Sequence, residues 1–189
     1  KVGHAGTLDP FAEGVLIICT GKKTSHIEKY MNQIKEYTGI INLGSRTATL
    51  DPESEVDKLK EFKEVTMKEL DIAKKEFIGC IDQIPPQFSA IKHNGTPLYK
   101  YARKNIRIEL KPRKVNVYNF IINKYEDKKI KFTISCGRGT YIRSIARDFG
   151  EKLNTYGYLL ELKRTKIGKF NIKNTIELEE VEEWLSTKI

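Results

Sequence analysis

Residues 115–136 limit the fold most strongly, because they read as strand twice over. Residues 115–122 are rich in β-branched side chains, and Ile130, Phe132, Ile134 and Cys136 alternate with polar neighbours. A period of two places one side of each segment on a core and the other in water, a pattern no helix shares. Further extended segments are expected at residues 14–19, 36–43, 45–50, 105–110 and 158–165, with Gly44 as a tight bend. Helices are expected where apolar residues recur at three and four. One runs from a Ser25 cap through Ile27, Tyr30, Met31 and Ile34, and another from the capping box Thr66-x-x-Glu69 through Leu70, Ala73 and Phe77. A third covers residues 140–153, and a last one carries Val181, Trp184 and Leu185. Residues 51–63 read as an acidic polar connection and 79–97, with Pro85-Pro86 and Pro97, as a long loop. Paired strands with interspersed helices predict an α+β fold on a mixed, mainly antiparallel sheet flanked by helices.

At 189 residues and 39% hydrophobic the chain can build a true core and is too apolar for disorder. Its longest uninterrupted apolar run is Val15 to Cys19, far below the roughly 20 residues of a membrane helix. The net charge of +9 is unevenly placed: −2 over residues 1–91, +14 over 92–170 and −3 over 171–189. Such segregation favours a polyanionic partner, nucleic acid first. The sharpest concentration is residues 92–114, with eight basic groups and one acid interleaved with Tyr99 and Tyr101. Cations beside aromatics suit a phosphate backbone and unstacked bases.

Several cofactor signals fail. Gly21-Lys22-Lys23-Thr24 lacks the first glycine and the Ser/Thr of a phosphate loop, and the acidic run from Asp51 to Glu55 has Val56 where a calcium loop needs glycine. His4, His26 and His93 are dispersed, so neither metal nor organic cofactor is expected. Cys19, Cys80 and Cys136 are widely spaced in apolar settings and read as reduced core thiols of a cytoplasmic protein.

Two places suggest chemistry. In Gly3-His4-Ala5-Gly6-Thr7-Leu8-Asp9-Pro10, two glycines permit close backbone approach and Pro10 stiffens the chain behind a single carboxylate. Asp9 is then either a nucleophile or base, or a turn cap. Arg138 and Arg143 flank the start of the helix near Thr140, where the macrodipole disfavours a cation unless an anion lies close. Asp9 supplies one, and such a pair is expected to keep it ionised.

These segments carry a resemblance. The 3–10 loop, continued by Ala12-x-Gly14-Val15-Leu16, is similar to the catalytic signature of the TruB-type tRNA pseudouridine synthases. Counterparts follow in order: Lys35-Glu36-Tyr37, Gly44 to Thr47 with Asp51, Gln83 to Ala90 with Lys92, and Leu98 to Arg103. Gly139 to Ser144 and Leu162 to Thr165 complete the set. Ala48 departs from it, standing where many relatives are acidic. The resemblance implies the pseudouridine synthase fold with a basic thumb loop at about residues 88–114, in a catalytic domain of residues 1–175. That domain is expected to be N-terminally incomplete, without a C-terminal RNA-binding PUA domain, and followed by a C-terminal helix at 176–189.

The activity implied is conversion of uridine 55 in the TΨC arm of tRNA to pseudouridine by a monomer without cofactor. Asp9 matches the family's nucleophile, Tyr37 the tyrosine against the target base, and Arg143 the arginine paired with the nucleophile. His4 matches the residue that inserts where the flipped base was, while Tyr141 and Leu162 match positions lining the uracil pocket. Lys92, Lys100, Arg103 and Lys104 belong to the thumb that closes over RNA, a segment expected to be mobile until phosphate arrives. The alternative is a binding-only tRNA chaperone that keeps the thumb and pocket without turnover.

Overall fold

The structure is a computed structural model and describes residues 1–187. β1 (Val2–His4) leads into the signature loop, β2 (Glu13–Gly14) follows it, and β3 (Ile18–Thr20) returns antiparallel beside β1. After α1 (Ile27–Met31) come the long β4 (Lys35–Leu43) and the hairpin of β5 (Ser45–Thr47) with β6 (Val56–Leu59). Next are α2 (Met67–Ala73), β7 (Gly79–Gln83), a small hairpin of β8 (Lys92–His93) and β9 (Thr96–Pro97), and α3 (Leu98–Ala102). β10 (Arg113–Glu126), β11 (Lys129–Cys136), α4 (Ile142–Lys152), β12 (Gly157–Ile167), β13 (Phe170–Asn171) and α5 (Val181–Ser186) complete the order.

The main sheet runs β13-β12-β4-β11-β10-β7, every neighbouring pair antiparallel, and β2 adds in parallel to β12. β10 and β11 carry the alternation expected from their residues and turn through Asp127 and Lys128, both at positive φ. Their inward side chains Phe120, Phe132 and Ile134 meet Ile145, Ala146 and Phe149 of α4 and Leu70 and Ala73 of α2 in one core. The Phe77 and Phe120 rings each lie 5.3 Å from that of Phe149, geometry that adds to the plain burial of three large rings. Backbone approach is closest between α4 and the start of β12. A Cβ on Gly150 would stand 2.4 Å from the Gly157 nitrogen, so only glycine lets this helix sit so low on the sheet.

The structure departs from the sequence expectations at several points. The helix expected from Ser25 shrinks to α1, because the Thr24 and Ser25 hydroxyls reach back to Gly21 and Lys22 carbonyls and hold a 3₁₀ turn. Ile34 is left exposed. The strand expected at 14–19 is split into the end of β2 and β3. The loop expected at 79–97 contains β7 and a hairpin, whose Asn94-Gly95 turn has φ 48° and 78°. That is the two-residue turn whose twist matches paired strands. Residues 105–110 are not a strand, since no neighbouring strand pairs with them and the Ile108 N–H is taken by the Gln87 side chain. Cys80 lies exposed on β7 rather than in the core. The C-terminal helix forms as α5 with Trp184 and Leu185 exposed; Lys188 and Ile189 of the expected 176–189 helix lie outside the described residues.

Candidate active site

The signature loop is fixed from the far end of the chain. Arg164 on β12 is buried and donates from Nε to the Val15 carbonyl (2.7 Å) and from Nη2 to the Gly6 carbonyl (3.0 Å). The Val15 N–H answers to the Arg164 carbonyl at 2.8 Å. Gly14 is obligatory here, for it has φ +105° and a Cβ would fall 2.2 Å from the Arg164 carbonyl oxygen. Ala5 is fully buried with its N–H on the Ile17 carbonyl, so Asp9 projects from a braced loop.

Asp9 meets Arg143, in the first turn of α4, in a two-point pair: Nε to Oδ2 at 3.0 Å and Nη2 to Oδ1 at 2.6 Å. The same guanidinium donates from Nη1 to Asp51 Oδ2 (3.0 Å) and the Thr49 carbonyl (2.9 Å), and from Nη2 to the Phe88 carbonyl (3.0 Å). Its five N–H donors are therefore all engaged, which only the rigid guanidinium fork permits. Asp51 is fully buried and also accepts from the Thr49 hydroxyl and the Glu53 N–H.

The expected Asp9–Arg143 pair is thus a triad of two carboxylates around one cation. Burial pushes the Asp9 carboxyl above its ordinary value and Asp51 adds to the rise, while Arg143 pulls the other way. One guanidinium shared between two carboxylates leaves an excess negative charge, which accounts for the direction. The Asp51 carboxylate is the functional group that sequence reasoning missed: in a run of acidic residues it reads as solvated. The signal was local, since Thr49 two residues before it offers a hydroxyl partner.

Asp9 borders a cavity of about 550 Å³. Tyr37, Tyr141, Leu162, Arg143 and Arg103 line it too, so the structure gathers six of the expected site residues around one space. Burial pushes the Tyr37 phenol up to about 12, so at neutral pH it holds its proton and serves as a donor or a ring surface rather than a resting base. Lys35, on the same face of β4 as Tyr37, is buried with Nζ on the Met31 and Gln33 carbonyls, and burial lowers its pKa. Arg138 pairs with Glu28 and Asn32 at the cavity mouth rather than with Asp9. Among the described residues no cluster of His, Cys, Asp or Glu could hold a metal ion, and no helix is long and apolar enough to cross a membrane.

A family model for the N-terminal domain of TruB family pseudouridylate synthases matches residues 1–142, and one for the tRNA pseudouridylate synthase B C-terminal domain matches 143–188. The chain belongs to the TruB pseudouridylate synthase family. The tRNA pseudouridine synthase B of Flavobacterium johnsoniae is 44% identical over 185 residues, which cover 98% of this chain and 81% of that protein. The Clostridium tetani protein of the same name is 44% identical over 183 residues, 97% of this chain and 63% of its own length. Among solved structures, a chain in a Cbf5-Nop10-Gar1 complex matches with a TM-score of 0.74 at 27% identity. The match covers this whole chain and 48% of that one, so the chain spans about half the length of that solved relative.

As a TruB-family member the chain is an isomerase, and the remaining expected residues lie around the cavity rather than on it. His4 is exposed at the end of β1 and does not line the cavity. Lys92, Lys100 and Lys104 are exposed on the thumb. The thumb itself is tied down in this structure: Leu98 is fully buried, and Gln87 exchanges hydrogen bonds with the Ile108 backbone. Arg103 stacks over the Tyr99 ring at 5.3 Å and reaches the cavity. Ala48 is exposed, and the Asp51 loop holds its shape through Thr49 and Ser54 instead.

Proposed function

We propose that this chain converts uridine 55 in the TΨC arm of tRNA to pseudouridine, with Asp9 as the nucleophile and neither metal nor organic cofactor. The observation that carries the reading is the Asp9–Arg143 pair at the wall of the cavity, one carboxylate aimed and held where a nucleoside fits. The reaction breaks the N-glycosidic bond, turns the base and rejoins it through carbon, so it needs a carboxylate at that bond and walls that retain the detached uracil. Tyr37 and Leu162 supply a ring and an apolar surface for the base, and Tyr141 closes the side next to Arg143.

The uridine lies inside a folded arm and must be flipped out, at a cost of a few kcal/mol. In this reading His4, exposed near the loop, enters the space the base leaves, and Lys92, Lys100, Arg103 and Lys104 neutralise phosphates. Residues 1–175 form the catalytic unit, working as a monomer in the cytoplasm. The test is incubation with unmodified tRNA and with a version carrying cytidine at position 55, followed by chemical mapping of pseudouridine. Pseudouridine at 55 in the first and none in the second is the expected result; pseudouridine elsewhere in both would refute the site. Binding of tRNA without any product would support the chaperone alternative.

A further inference from the structure

The Ser89 hydroxyl is buried, 6% exposed as a residue, and has no hydrogen-bond partner. Buried hydroxyls are nearly always paired, and one left alone costs roughly 1–3 kcal/mol. Ser89 lines the same cavity as Asp9, so its open hydrogen-bonding capacity faces the space where a substrate sits. The Tyr141 phenol lies near but makes no hydrogen bond of sound geometry to it.

Its backbone fixes where that hydroxyl stands. The preceding Phe88 carbonyl accepts from the Arg143 Nη2 that also holds Asp9 Oδ1. The Ser89 carbonyl accepts the Tyr99 N–H of the thumb helix at 3.1 Å. Ser89 is therefore one residue from the group that aims the nucleophile and is anchored on both sides.

We propose that Ser89 hydrogen-bonds the ribose 2′-hydroxyl of the target nucleotide and so discriminates RNA from DNA at that position. This rests on the reading of Asp9 given above. Whichever carbon Asp9 approaches, its carboxylate stands against the glycosidic bond, and the 2′-hydroxyl is one carbon from that bond. A serine hydroxyl both donates and accepts, which suits another hydroxyl. The 2′-hydroxyl is also the group by which a protein distinguishes RNA from DNA.

The experiment compares wild type and Ser89→Ala, each with a TΨC stem-loop carrying uridine or 2′-deoxyuridine at the target, by single-turnover rate and by affinity. The affinity arm needs no turnover, so it stands even where the uridine reading fails and no pseudouridine forms. Ser89→Ala and the deoxy substitution are each expected to lower rate or affinity about five-fold, the worth of a neutral hydrogen bond. Together they should cost no more than either alone. The thermal midpoint of free Ser89→Ala should be unchanged or higher, because the lost hydroxyl has no partner in the free protein. Losses that multiply, an unaffected Ser89→Ala, or a lowered midpoint would each overturn the proposal.

Discussion

The signature loop and the thumb border one cavity and are built in opposite ways. Asp9, in a loop with a single charge of each sign close by, is tied to a guanidinium that is 6% exposed and fully bonded. The thumb presents Lys92, Lys100 and Lys104 as exposed cations and keeps its shape through Leu98 and the backbone bonds to Gln87. Position is fixed where bonds break, and charge is left in water where a polyanion has to be met. The region of +14 net charge is therefore expected to govern affinity, and the loop turnover.

Changes at Arg143 press hardest on this contrast. Arg143→Met leaves Asp51 and Asp9 facing each other without a cation, and removing one partner of a buried pair costs about 3–5 kcal/mol. Chemical denaturation should show that loss, and turnover should fall at least about 100-fold even under conditions where the variant remains folded. Arg143→Lys should restore little of either, because an ammonium cannot supply five donors in a plane.

Replacing Lys92, Lys100 and Lys104 with Gln acts on the other side of the contrast. Affinity for tRNA should fall about ten-fold at low salt, with the slope of log K against log salt reduced by up to about two to three. The single-turnover rate at saturating tRNA should hardly change. A rate that collapses while the salt slope stays fixed would reverse the roles assigned to the two regions.

The pH profile sharpens the loop's side. A nucleophilic carboxylate must be ionised, so the rate should drop as pH falls through the Asp9 pKa, which lies above the ordinary value of 3.8. Asp51 is one of the groups raising it. Asp51→Asn should accordingly move the acid limb to lower pH, readable in single-turnover rates from pH 4 to 7. The smallest effect is expected at the thumb turn: Gly95→Ala, at φ 78°, should cost about 1 kcal/mol in thermal unfolding and leave turnover intact.

Sequence and structure agree where the physics is local. The alternation of residues 115–136 required a hairpin and the capping box at Thr66 required a helix, and both formed. Alternation misled at Ile106, Ile108 and Leu110, because a strand also needs a neighbour and none stands beside them. The Asn94-Gly95 turn was readable from its residues and was obscured by the surrounding prolines and charges. The site was legible as far as Asp9 and Arg143, which sit in motifs. Asp51 and Arg164 were not, since their burial depends on partners 92 and roughly 150 residues away. Nothing in an acidic run or a basic strand announces a contact made across the whole fold.

One measurement meets the central claim directly: Asp9→Asn assayed for tRNA affinity and for single-turnover pseudouridine formation in the same preparation. If the loop performs the chemistry and the thumb grips the RNA, the dissociation constant stays within about three-fold of wild type. Product formation falls at least about 1,000-fold. Turnover retained in Asp9→Asn, or affinity lost along with it, would contradict the division.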